Sequence, residues 1–196
     1  MRNSYKILIL SILFLSCASK QVYTSSYGEK MVKDADSGIY TYYDKDGRKS
    51  HEGKMINNKK DGEWLAYHKN GAIKAKTLFA NGLRNGKDVR YYDTGQIQAE
   101  YNYIDGKEDG QAYGYYENGN RKKELNYKNG ELSGKCYYYY EDGSIKSEYK
   151  YIYNGRYIRS LGITINKWNE DGEPLVINGE GRYIEFYDNG NKKREE

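Results

Sequence analysis

Long aliphatic stretches are nearly missing from this sequence, and proline, cysteine and histidine are scarce. Apolar residues make up only 37% of the 196 positions, and tyrosine alone supplies 25 of them. A chain so poor in Leu, Ile, Val and Phe cannot fill a thick two-layer core, so its stability must come from aromatic packing and strand pairing. Pro174 is the single proline beside 22 glycines. Glycine in quantity without proline marks many tight turns rather than a disordered linker. A basic stripe is missing as well: the net charge is +4, and Lys and Arg alternate with Asp and Glu along the whole length. That patterning excludes nucleic acid as a partner.

Catalytic furniture is equally sparse. There are two histidines, His51 and His68, and they fall at non-equivalent places in the repeat described below, which argues against a paired metal or catalytic site. No Ser/His/Asp set, phosphate-binding glycine loop or CxxC pair is visible. Asp44, Asp46 and Gly47 resemble the start of a calcium loop, but the remaining ligands are missing and a hairpin turn accounts for them. The expectation is therefore a protein that is not an enzyme and has no cofactor and no metal.

What is present begins with an export signal. Arg2 and Lys6 precede an apolar run from Ile7 to Leu15, followed by Ser16 and Cys17. The run falls well short of the ~20 residues a spanning helix needs, so residues 1–16 read as a signal peptide. Leu13, Phe14, Leu15, Ser16 and Cys17 resemble the bacterial lipobox. That resemblance implies a diacylglycerol thioether on Cys17, acyl chains such as palmitate, and a protein held at a membrane by lipid alone. Ala18 in the following place implies, by the same resemblance, the outer membrane of the cell envelope. Residues 17–37, polar and rich in Ser and Lys, read as a flexible tether. With Cys17 acylated, Cys136 is left without a disulfide partner and reads as a buried strand residue.

The rest of the chain is periodic. Glycine falls at 38, 62, 86, 110 and 134, a constant step of 24, and each is followed nine places later by another, at 47, 71, 95, 119 and 143. Gly181 and Gly190 resume the spacing, while Trp168 and Gly172 keep parts of a degenerate unit at about 155–180. The count is about seven units over 38–196. Numbered from the leading Gly, position 6 is always aromatic: Tyr43, Tyr67, Tyr91, Tyr115, Tyr139, Trp168 and Phe186. Apolar residues recur at positions 4, 12, 14, 16 and 18, and the period of two marks strands with one apolar face. The Asp-Gly and Asn-Gly pairs that end at position 10 suit a three-residue hairpin loop whose last residue takes φ > 0. Position 7 should then face 11, 6 should face 12 and 4 should face 14, so that every even position shares one face. The expected fold is all-β, an elongated single antiparallel meander of about seven β-hairpins.

This order of glycine, aromatic, Asn-Gly turn, aromatic and second Asn-Gly turn resembles the MORN repeat in its bacterial variant form, over roughly 38–196. Many bacterial proteins of that kind are grouped as YwqK-type antitoxins, and eukaryotic MORN proteins are associated with membranes and scaffolding. The resemblance implies a hairpin array and names no catalytic residue. A single sheet has no second layer of its own, and tyrosine suits recognition. The candidate binding surface is thus Tyr91, Tyr92, Tyr115, Tyr116, Tyr139 and Tyr140, facing an unknown protein, glycan or lipid headgroup. The odd-numbered positions, with Tyr92, Tyr116 and Tyr140, should lie on the solvated side. The functional expectation is a lipid-anchored envelope module for binding or scaffolding. The alternative is an antitoxin or immunity protein that neutralises a toxin.

Overall fold

The computed structural model describes residues 20–25, 28–152, 161–177, 180–181, 184–186 and 192–195. Among them there is no helix, and every pairing is antiparallel, so the protein is all-β as expected. The chain divides into two compact units, Met1–Gln96 and Ile97–Glu196. The signal segment 1–16 and Cys17 lie outside the described residues.

In the first unit β1 (Lys20–Thr24), β2 (Lys30–Asp34), β3 (Ile39–Tyr43), β4 (Lys49–Ile56), β5 (Lys59–Tyr67), β6 (Ile73–Ala80) and β7 (Leu83–Tyr91) each pair with the next. In the second unit β8 (Ile97–Ile104) pairs with both the short β9 (Lys107–Glu108) and β10 (Gly110–Tyr115). Next come β11 (Arg121–Lys128), β12 (Glu131–Leu132), β13 (Gly134–Tyr139) and β14 (Ile145–Ile152), in the same back-and-forth order. The degenerate repeat supplies the hairpin of β15 (Leu161–Trp168) and β16 (Pro174–Ile177), followed by β17 (Glu180–Gly181). Pro174 opens its strand, where a missing N–H is tolerated. Finally β18 (Ile184–Phe186) pairs with β19 (Lys192–Glu195).

The expected tether of residues 17–37 is corrected by β1 and β2. Lys20 to Thr24 align with Asp34 to Lys30, and β2 in turn aligns with β3. Val22 faces Val32 and Tyr23 faces Met31 across the pair, so side chains that looked isolated in a polar stretch become cross-strand partners. The strand system therefore starts ahead of the first leading glycine.

Turn chemistry follows the sequence closely. The glycines at position 10 have φ between 78° and 93°, and each donates its N–H to the carbonyl of position 7, as Gly95 does to Tyr92 at 3.0 Å. Position 7 also pairs with 11, as expected, through bonds such as Tyr92 N–H to Gln96 O at 2.8 Å. The second turns are two-residue loops with both central residues at positive φ, such as Asn81 at 51° and Gly82 at 88°. Asn58, which stands where the other units have Gly, adopts φ 61° all the same; asparagine is among the few side chains that tolerate this region.

Beyond the turn, the register departs from expectation. Tyr67 faces Ile73, so position 6 does face 12, but the next pair is Ala66 with Ala75 and then Leu65 with Lys76. Position 13 is an extra residue, a β-bulge, and it recurs between Tyr42 and Tyr43, Gly114 and Tyr115, and Tyr138 and Tyr139. One inserted residue reverses the alternation for the rest of the strand. Position 4 thus faces 15 rather than 14, and the even positions do not all share a side. One face, here called inner, carries positions 1, 3, 5, 14, 16 and 18; the outer face carries 2, 4, 6, 12, 15 and 17.

Burial follows the inner face. Trp64, Ala112 and Cys136, all at position 3, are 3%, 2% and 0% exposed, against Leu125 at position 16 with 3%. In the second unit Ala112, Leu125 and Cys136 form one cluster with Tyr101, Tyr127, Leu132, Tyr138 and Tyr151 around it. In the first unit the Trp64 ring lies on Gly53, with Tyr42 and Phe79 at centroid distances of 6.1 and 6.4 Å. The Trp64 indole N–H donates to Lys54 O at 2.9 Å.

Candidate binding surfaces

The outer face is a ladder of tyrosine, acid and base. Position 6 donates its hydroxyl to the acid at position 15 of the preceding repeat: Tyr67 to Glu52 and, at 3.0 Å, Tyr115 to Glu100. Where position 15 is Lys76 instead, its ammonium lies 6.0 Å over the Tyr91 ring. Lys49 extends the first rung by pairing with Glu52 at 2.9 Å and covering Tyr67 at 5.2 Å. Burial of Glu52 would raise its pKa, yet the hydrogen bonds from Tyr67 and Lys49 hold it below the ordinary carboxylate value. Burial, reinforced by Glu100, pushes the Tyr115 hydroxyl up.

Position 7 is a staple rather than a solvated surface residue. Tyr116 donates to Tyr139 O at 2.8 Å and Tyr140 to Trp168 O at 2.9 Å, while the His68 Nε2 lies 2.9 Å from Tyr91 O. Each bond joins one hairpin to the backbone of the next. Lys122 and Lys146, the bulge residues, sit 5.1 Å over the Tyr116 and Tyr140 rings. Tyr92, Tyr116 and Tyr140 are half-buried, which corrects the expectation of a solvated side. The ring edge at position 7 must turn back across the hairpin to reach a neighbouring carbonyl.

Of the six candidate residues, Tyr91 and Tyr92 belong to the first unit, and Tyr115, Tyr116, Tyr139 and Tyr140 to the second. The candidate set left out Tyr113 and Tyr137, which alternation along β10 and β13 places on the same outer face as Tyr115 and Tyr139. All four are half-buried, and the Arg121 guanidinium covers Tyr113 at 4.7 Å while pairing with Glu124 at 2.6 Å. Exposed Ile145 lies directly across from Tyr139. Position 4 was apolar in the sequence and does share the face of position 6, so the signal was there; the bulge instead takes positions 14, 16 and 18 to the other side.

Polar interior groups were also missed. Asp88, 1% exposed, accepts from Thr77 Oγ1 at 3.1 Å and from Arg90 Nε at 3.0 Å. Glu148 pairs with Lys135 at 2.8 Å and accepts from Asn166 at 2.6 Å. Neither set resembles a reaction centre. Burial pushes the Cys136 thiol up and so disfavours its thiolate, and burial among neighbouring tyrosines raises Tyr127 to about 12. A shallow groove of about 260 Å³ lies between β2, β3 and β4, lined by Met31, Tyr42, Ser50 and His51 among others. Among the described residues no group of three or more His, Cys, Asp or Glu is placed to hold a metal, and no helix is long and apolar enough to cross a membrane.

Bulged hairpins stapled in series, with a glycine at each bend, define a class of repeat proteins. A family model described as "MORN repeat variant" matches residues 60–81, 84–105, 108–129, 132–153 and 179–196. The chain belongs to that family. MORN repeats are associated with binding and scaffold roles and are typically non-catalytic. No curated protein sequence matches the chain.

Proposed function

We propose that this is a binding module of the bacterial cell envelope, anchored to the outer membrane by lipid on Cys17, with the outer tyrosine face of its second unit as a contact surface. The observation that supports it most directly is the set of four half-buried rings, Tyr113, Tyr115, Tyr137 and Tyr139, on a face over which the described residues of the same unit lay no second sheet. Rigid rings with a polar tip give contact area at small entropic cost. The anchor rests on the lipobox-like Leu13 to Cys17. An antitoxin or immunity role, as in the YwqK-type grouping, is a special case in which the captured molecule is a toxin.

Two readouts test the proposal separately. Cys17→Ala should abolish fatty-acid labelling and detergent-phase partitioning; unchanged partitioning removes the anchor. Pull-down from envelope extract with the mature chain should lose its captured species when Tyr115 and Tyr139 are both changed to Ala. If every species captured by the wild type is retained, the surface is not a contact site. Recovery of a toxin would select the immunity form.

A further inference from the structure

The inner face of the first unit has its own charge pattern. From β1 to β6 it carries the rings of Tyr40, Tyr42, Trp64 and Phe79 and two ammonium groups, Lys33 and Lys60. Lys33 belongs to this face because it is paired directly with Tyr40, and Lys60 because it is paired with Met55. The strand acids Glu52 and Glu63 occupy outer positions, opposite Leu65 and Leu78. Among the strand residues the first carboxylate on the inner face is Asp88 in β7, buried and already held by Arg90 and Thr77; Glu29, just ahead of β2, lines the groove beside Met31 and Tyr42.

The two ammonium groups rest on rings rather than on acids. Lys60 Nζ lies 4.2 Å over Trp64 and 5.0 Å over Phe79, and Lys33 Nζ lies 5.6 Å over Tyr40. Neither has a carboxylate within ion-pair distance among the described residues, whereas Lys49, Lys128 and Lys135 do. Lys60 is half-buried, and desolvation, helped by the charge of Arg84, pulls its pKa down. A desolvated ammonium without a counter-charge gains from any anion delivered to it. The unit is short of acid even without the signal segment: Lys and Arg outnumber Asp and Glu 15 to 10 in residues 17–96, and are outnumbered 15 to 18 in residues 97–196.

We infer that the inner face of the first unit docks an extended acidic segment of a protein partner, with one carboxylate on Lys33, another on Lys60 and an apolar side chain between them on Tyr40 and Tyr42. Lys33 shares a row with Tyr40 and Gly53, and Lys60 is opposite Met55 two residues on, so the two are about 14 Å apart across the sheet and about 7 Å along it, roughly 16 Å in all. An extended peptide covers about 13 Å in four residues, and the flexible ammonium and carboxylate arms span the remaining few ångströms, so two acids spaced by four reach the pair from one side of the peptide. A nucleic-acid backbone would need a row of cations rather than two. The inference rests on the reading of the protein as a binding module, but on neither the lipid anchor nor the outer tyrosine face.

The test uses the full mature chain and a fluorescein-labelled peptide, Glu-Ala-Leu-Ala-Glu, with its Gln-Ala-Leu-Ala-Gln twin, followed by anisotropy at low and at physiological salt; the central Leu shares the side of the two acids. The acidic peptide should bind and the twin should not. Lys33→Gln and Lys60→Gln should each weaken binding by roughly threefold to tenfold, Lys60→Arg should retain most of it, and Lys54→Gln on the outer face should leave it unchanged. Failure of the acidic peptide to bind, equal binding of the twin, or wild-type affinity in both Gln variants overturns the inference. So does a preference for phosphatidylserine vesicles or for single-stranded DNA over the peptide. Circular dichroism on each variant separates lost binding from lost folding. Peptide binding that survives Cys17→Ala and the Tyr115/Tyr139 double change would stand even if the function proposed above failed.

Discussion

Gly53 and Gly47 show how one residue type does two different jobs. At Gly47 φ is 78° and an added Cβ would meet nothing within 4 Å, so the requirement is backbone conformation. At Gly53 φ is not positive, and an added Cβ would lie 2.5 Å from the Trp64 ring. Gly53→Ala should therefore force the indole off its seat and destabilise the protein by roughly 1–3 kcal/mol, read as a lower urea midpoint with altered tryptophan emission. Glu148 offers a titration at the same scale. Its hydrogen bond with Lys135 outweighs burial, and with Asn166 it holds the carboxyl below its ordinary value of 4.5. A carboxylate depressed on folding contributes stability above that ordinary value, and the contribution is lost as pH falls through the folded value. Between about pH 5 and pH 3 the urea midpoint of the wild type should fall further than that of Glu148→Gln; parallel curves would mean that the pair has no weight.

At the level of the element, the hairpin is defined at both ends but joined to its neighbours by position 7. The hydroxyl of Tyr140 reaches Trp168 O across the stretched repeat, and that of Tyr116 reaches Tyr139 O across a regular one. The insertion thus lengthens the chain without breaking the staple. Tyr140→Phe keeps the ring under Lys146 and removes only the donor, so it should cost about 0.5–1.5 kcal/mol in chemical denaturation. A change smaller than the error of that measurement would show that water replaces the bond. The hairpin loops themselves were legible in advance, because Asp-Gly and Asn-Gly at a fixed offset admit few turn types. The bulge was not legible. It is built from ordinary residues such as Ser50, Lys74, Lys122 and Lys146, and nothing in their side chains demands an extra place in the strand.

Across the molecule, protection is concentrated where position 3 meets position 16. Among the described residues of the first unit the buried ones are Gly53, Trp64, Thr77 and Asp88, and none lies in β1 or β2. In the second they gather around Ala112, Leu125 and Cys136. Repeat arrays are stabilised by nearest-neighbour interfaces, and local opening is easiest where few groups are buried. Amide hydrogen exchange should accordingly be fastest in β1 and β2, and slowest in β5–β7 of the first unit and β10–β13 of the second. Uniform protection along each unit would contradict this account.

The sequence alone determined the period, the strand and turn order, and the residues at each bend, because glycine and asparagine at positive φ leave a mark that needs no tertiary context. Its polar opening stretch hid two strands, since Val22 and Tyr23 become apolar partners only when Val32 and Met31 lie opposite them. Which side each tyrosine takes was decided by the tertiary structure: a single bulge per hairpin carries Tyr127 and Tyr149 to the inner face, away from Tyr113 and Tyr137, with which alternation alone would group them. An inserted residue changes no composition and no spacing between repeats, so the alternating pattern cannot register it, yet it reverses every side chain that follows.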